Sequence, residues 1–291
     1  MNNSSFIQFR YHRNFSEIIH ATFAFIRQEI RPLGRVMLVT VGPFAVASAL
    51  LQALTDEENV LLFSMQDLPF AGMGMQVVAT VLDRMVGILA FAVGYGYVAN
   101  YVAGNRQQIP HDVWRQVKAH YLLLLLTAFL YALGIGLSML VFLIPGVWVA
   151  VAWSLGYAVV VQERADIGEA FSRSRALVQE HWWETCGIVV VLWGMILLLS
   201  MIAAMIPSLL FGVYQMHSTD SWIEMPFFFQ IIRMLLFVGV TVAYPFLMII
   251  PVLGLSFQYF SLVEEKESVG LMQRIQQVGI TAGGQTHEEQ Y

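Results

Sequence analysis

Charge is what this 291-residue chain has little of. Asp, Glu, Lys and Arg together make up 12% of it, against about 25% in an ordinary soluble domain. Hydrophobic residues fill 58%, and the mean hydropathy is +0.66. Such a composition cannot cover a water-facing surface. With apolar runs of about twenty residues, it predicts an integral α-helical membrane protein. Cysteine is nearly missing. The single Cys186 excludes an intramolecular disulfide and any multi-cysteine metal site. It reads as a small apolar residue near the start of a membrane helix. No signal peptide is expected, because Arg10, Arg13, Arg27, Arg31 and Arg35 crowd the start and no early apolar core precedes a cleavage site.

Catalytic constellations are also lacking. The chain has seven histidines, none within an apolar run and none in a His-x-x-x-His pair. Glu17 and His20 have the Glu-x-x-His spacing of di-metal bundles, but such a bundle needs two of these pairs and two further glutamates. Both fall on the polar face of their helix, so a solvated face is the simpler reading. His120 and His181 sit at joints between helices, where an interfacial role suffices. No convergent acid, base, nucleophile or metal set emerges. No enzyme, no cofactor and no nucleic-acid partner is therefore expected. No Asp, Glu, Lys or Arg lies mid-span, where an ion-coupled transporter places its ionisable groups. Pro43, Pro245 and Pro251 leave room for broken spans that line a path, which keeps a transporter as the alternative.

What is present is an all-α pattern: a polytopic membrane helical bundle with about six transmembrane helices plus cytoplasmic amphipathic helices. The spans read as 36–54, 85–103 (its start reaching back toward 77), 121–142, 146–161, 186–206, and a long run from 231 to 263. As one helix that last run would measure roughly 50 Å, against a hydrocarbon core of roughly 30 Å, and Pro245 and Pro251 predict a bend. Residues 1–267 form a single membrane domain, and 268–291 a cytoplasmic tail, a short helix and then disorder. Basic residues alternate between loops. Five lie in the N-terminal segment, three in 104–120, three in 162–185 and two in the tail, thirteen of the fifteen in the chain. The positive-inside rule then places both termini in the cytoplasm, and in a bacterium the membrane is the inner one. A tight turn at Ile144–Gly146 would lie outside.

Three cytoplasmic segments share one plan, an amphipathic helix that feeds a span: 15–31, 110–120 and 167–181. Asn14 with Glu17, and Asp166 with Glu169, have the spacing of capping boxes, and Pro110 suits a first helical position. At 100° per residue Phe15, Ile18, Ile19, Phe23, Ile26 and Ile30 share a face of the first. Val113, Trp114, Val117 and Tyr121 do so on the second. On the third it is Ile167, Phe171, Val178 and Trp182, with Leu177 on the flank. Such helices lie in the interface or under the bundle.

The stretch "FLIPGVWVAVAWSLGYAVVVQERADIGEAFSRSRALVQEHWWE" resembles the membrane domain attached to some glycerophosphoryl diester phosphodiesterases and the related stand-alone bacterial multi-span proteins. The matching positions are Pro145, Gly146, Glu163, Ala170, Ser174 and Leu177. The N-terminal "NFSEIIHATFAFIRQEIRPL" is similar to the start of stand-alone members. The resemblance implies a fold and a location. It does not imply phosphodiesterase activity, which belongs to a separate soluble barrel.

The candidate site residues are charges on the amphipathic helices. Arg173 falls on the polar face of the third, four residues after Glu169, a favourable surface pair. Arg175 falls about 40° from Phe171, on the apolar side. On the first helix Glu29 also falls on the apolar side, while Arg27 and Arg31 face water. A charge on a buried face needs a partner, so Glu29 and Arg175 are expected to pair, directly or through a neighbour. The alternative is that Arg175 binds a lipid phosphate. The function expected is a membrane scaffold or envelope-associated module that contacts the lipid bilayer, in particular anionic phospholipid.

Overall fold

A computed structural model describes residues 7–55, 69–105, 110–217 and 227–267. The described residues are predominantly helical, with no strands among them. Its helices are α1 (Phe15–Thr40), α2 (Gly42–Thr55), α3 (Pro69–Val102), α4 (Pro110–Val141), α5 (Leu143–Ala152), α6 (Gly156–Glu163), α7 (Ile167–Val178), α8 (Trp182–His217), α9 (Phe227–Leu247) and α10 (Ile249–Glu267), with a 3₁₀ turn at Gln179–His181 before α8. Five helical stretches are long and apolar enough to cross a membrane, and α1 with α2, bent by 56° where they meet, makes up to six. The tail after residue 267, and most of the loop between α2 and α3, lie outside the described residues.

The outer surface carries the membrane signature. Leu122, Phe129, Leu140, Ile144, Leu197 and Ile202 are all well exposed. Water would not tolerate so many bare apolar side chains; lipid does. Hydroxyls on this surface bond within their own helix: Thr80 donates to Gln76 O and Ser208 to Ala204 O. Acyl chains offer them no other acceptor.

α10 is the centre of the bundle. Every residue from Ile249 to Leu262 is buried, and the polar ones among them, Ser256, Gln258 and Ser261, are hydrogen-bonded. Glycines bring the neighbours close. A Cβ at Gly94 of α3 would come within 2.9 Å of Val252, and a Cβ at Gly254 would collide with Leu192 of α8. Pro251 sits in the first turn of α10, where its missing N–H costs nothing. The long run 231–263 is accordingly interrupted at Met248, between α9 and α10, three residues after Pro245.

Three expected joints move. α1 continues through Pro32 to Thr40, so no break separates an inner helix 15–31 from a span starting at Val36. Its buried stripe, Ile18, Ala21, Thr22, Phe25, Leu33, Val36, Met37 and Thr40, runs unbroken along its length. Phe23 and Ile30, expected on the inner face, are exposed, because Phe25 anchors the helix instead. The turn at Ile144–Gly146 lies at Phe142, whose extended backbone alone separates α4 from α5. Pro145 and Gly146 lie in the first turn of α5, and Gly146 lets it lie directly against Met139 of α4. The fourth span, finally, is two helices, broken at residues 153–155.

That break leaves carbonyls without their helical donors. The Gly156 N–H turns to Trp153 O and the Ser154 N–H to Val151 O, which releases the carbonyls of Ala152 and Ala150. Each is recovered by a neighbour. Ser174 of α7 donates to Ala152 O at 2.8 Å, and Tyr131 of α4 donates to Ala150 O at 2.9 Å. α7 therefore packs against the break: Phe171 lies 4.5 Å from Trp153, ring centre to ring centre. Ala170, Ser174 and Leu177 are fully buried, so Leu177, expected on the flank, lies at the middle of the buried face.

Candidate functional site: the charged end of the bundle

Charge gathers where α6 and α10 end and α7 begins. Arg164 follows α6 with a left-handed backbone, φ 55°, and reverses the chain within three residues. The reversal sets Glu163 beside Arg173. The Arg173 guanidinium bonds Glu163 Oε1 at 3.3 Å and also Glu267 at the end of α10. Tyr259 donates to the same Glu163 oxygen at 2.7 Å. The i,i+4 pair expected between Glu169 and Arg173 does not form. Arg173 is drawn instead to two carboxylates at the ends of neighbouring helices. Of the two capping boxes, the first forms, with the Asn14 N–H donating to Glu17 at 3.1 Å. Asp166 holds the cap position of α7 without a side-chain cap bond.

The rest of α10's end is held in the same way. Lys266 donates to Ala176 O and lies 3.5 Å from Glu180. Glu265 is flanked by His181 at 3.1 Å and His12 at 3.7 Å, and His181 reaches Glu184 at 3.5 Å. His181 thus has carboxylate partners beyond the interfacial role expected of it. The segment before α1 lies across this end as a strap. Phe9 stacks on Phe257 at 4.2 Å and meets Phe25 and Tyr101 edge-on. The Arg13 backbone exchanges hydrogen bonds with the Ser261 hydroxyl, 2.9 and 3.2 Å. The Arg13 side chain bonds the carbonyls of Gln8 and Phe9. Burial draws its pKa down from the usual guanidinium value, against the opposing pull of Glu17.

Between strap, α6, α7 and α10 lies a cavity of about 320 Å³. Arg10, Arg173, Glu163, Glu264 and Glu267 give its wall charge, and Gln162 gives an amide. Tyr259, Phe260 and Val263 complete the lining. Among the described residues no group of three or more His, Cys, Asp or Glu is placed to hold a metal ion.

The remaining site residues are dispersed. Glu29 and Arg175 do not pair. Glu29 accepts a hydrogen bond from Tyr97 of α3 at 2.7 Å. Arg175 lies over the Trp148 ring of α5, 5.2 Å from its centre. Glu29 is half-buried and Arg175 is exposed; each meets a different helix, and an aromatic residue answers each. Arg27 and Arg31 point outward, and Arg35 continues their line. All three are exposed and make no hydrogen bond or ion pair among the described residues. Sequence reasoning missed Tyr259, Glu267 and Arg10. The only available signal was the acidic cluster that closes the last apolar run.

Compared with known proteins, no family model, no curated protein and no solved structure matches this chain.

Proposed function

We propose that this chain is a multi-pass protein of the bacterial inner membrane, both termini cytoplasmic, that acts as a non-enzymatic scaffold on anionic lipid. The observation that carries the reading is the line Arg27, Arg31 and Arg35. Spaced four residues apart, they occupy one side of α1 over about 12 Å. They are exposed and have no protein partner among the described residues. Leu38, also exposed, lies one turn further toward the membrane. A row of unpaired guanidiniums next to exposed apolar side chains suits phosphates at the headgroup level. Arg173, by contrast, is engaged by Glu163 and Glu267, and Arg175 lies over the Trp148 ring.

Two further features favour a scaffold over a translocation path. The carbonyls released at the break in the fourth span are bonded by Ser174 and Tyr131, whereas a transporter uses such carbonyls on its substrate or ion. The central helix is buried along the whole of Ile249–Leu262. Kinship with the membrane domain of glycerophosphoryl diester phosphodiesterases belongs to the same proposal. The positions that carry the resemblance have packing roles here: Gly146 admits α4, Glu163 holds Arg173, and Ser174 closes the break.

The test is native mass spectrometry of the protein released from membranes containing phosphatidylglycerol and phosphatidylcholine. Wild type should retain phosphatidylglycerol. At about 1 kcal/mol per basic residue, replacing Arg27, Arg31 and Arg35 by Gln should weaken retention on the order of a hundredfold. Equal retention by the variant would overturn the reading.

A further inference from the structure

The cavity at the charged end has a specific set of unused hydrogen-bonding groups. Arg173 is spent on Glu163 and Glu267, and both bonds to Glu163 fall on Oε1. Glu163 Oε2 and the second oxygen of Glu267 make no hydrogen bond among the described residues. A carboxylate accepts at both oxygens, through about four lone-pair sites in all, so two acceptors stand open. On the donor side, the Arg10 guanidinium has no partner among the described residues, and the Gln162 amide nitrogen is buried with none. A buried donor without an acceptor costs about 1–3 kcal/mol, so a ligand that supplies one is favoured.

Charge narrows the ligand. Two guanidiniums face three carboxylates in the wall. A simple anion would meet an excess of negative charge, and a simple cation would leave Arg10 and Gln162 unanswered. A zwitterion answers both. We propose that the cavity binds a phosphate that carries a primary ammonium, its phosphate oxygens on Arg10 and Gln162 and its ammonium on Glu163 and Glu267. Phe260 and Val263 give the cavity an apolar edge, on which a glyceryl or acyl portion rests. The same chemistry exists as a lipid headgroup and as free phosphoethanolamine. Phe9 acts as a positioning residue: seated on Phe257, it fixes the strap that presents Arg10.

This site is separate from the arginine line on α1, and its test is separate too. The full chain is placed in nanodiscs containing phosphatidylethanolamine, phosphatidylcholine and phosphatidylglycerol, and retained lipid is read by native mass spectrometry. Phosphatidylethanolamine should be retained over phosphatidylcholine, whose methylated ammonium cannot donate to carboxylates. Arg10→Gln should lower that retention about tenfold or more. Arg10 is exposed and unpartnered, so this variant folds as wild type does. The α1 triple variant should keep phosphatidylethanolamine even where phosphatidylglycerol is lost. In a second arm, soluble phosphoethanolamine is added to detergent-solubilised protein and the melting temperature is followed. Protection that disappears in Arg10→Gln, without enrichment of the lipid, assigns the site to the free compound. Equal retention of the ethanolamine and choline lipids together with no protection by soluble phosphoethanolamine, or binding indifferent to Arg10→Gln in both arms, overturns the proposal.

Discussion

Ser174 shows what one hydroxyl can hold in a membrane. In lipid the Ala152 carbonyl has no water to turn to, and Ser174 is its donor. Ser174→Ala should therefore cost about 1–3 kcal/mol, measured by unfolding in mild detergent. Ser138 is the control. Its hydroxyl bonds Gly134 O within its own helix, so Ser138→Ala should change stability by no more than about 0.5 kcal/mol. Arg164 makes the opposite case. Its left-handed backbone costs a non-glycine residue roughly 1–2 kcal/mol, and glycine is favoured at such a helix end. Arg164→Gly should stabilise the protein by about 1 kcal/mol in the same unfolding measurement, and a loss would contradict the geometry. Residue-level pairing was the least legible part of the sequence. Helical period puts Glu29 and Arg175 on the apolar sides of their helices, yet Arg175 is exposed. Which residue each would meet depends on packing between helices far apart in sequence. Tyr97 and Trp148, apolar by composition, gave no sign that they would answer charges.

At the scale of elements, apolar runs located the spans and the basic loops grouped their ends, because both are properties of contiguous sequence. The joints were harder to place. Proline marked them only loosely: Pro32 interrupts nothing, and α1 bends at Val41. The break at residues 153–155 has no proline at all. It exists because α7 and α4 supply donors for the freed carbonyls, an arrangement invisible within the span itself. Close helix approaches are legible as glycine but not as contacts. Gly254 faces Leu192 so tightly that a Cβ would collide with it. Gly254→Ala should cost about 1–3 kcal/mol by overpacking. Combined with Leu192→Ala, the loss should be smaller than the sum of the two single losses. Strict additivity in a double-mutant cycle would mean that the two residues do not touch.

For the whole molecule, the described charges of the strap, α6, α7 and α10 gather at one end of the bundle. The strap, the end of α6, α7 and the end of α10 are tied together by Arg173, His181, Lys266 and Phe9. In the topology proposed, with both termini cytoplasmic, this end would face the cell interior. Single cysteines at positions 144 and 267, introduced after Cys186→Ala, test it. A membrane-impermeant maleimide should label position 144 in spheroplasts with intact inner membranes, and position 267 only after that membrane is opened. The reverse pattern would invert the topology. The role proposed for the molecule rests on anionic lipid held along α1, and the most direct measurement is the melting temperature in nanodiscs of phosphatidylglycerol against phosphatidylcholine. A ligand that binds only the folded state raises stability, and exposed charge pairs weaken as salt rises. The melting temperature should be higher in phosphatidylglycerol, and the gain should be reduced by salt and abolished when Arg27, Arg31 and Arg35 are changed to Gln. The same gain in wild type and variant would contradict that role.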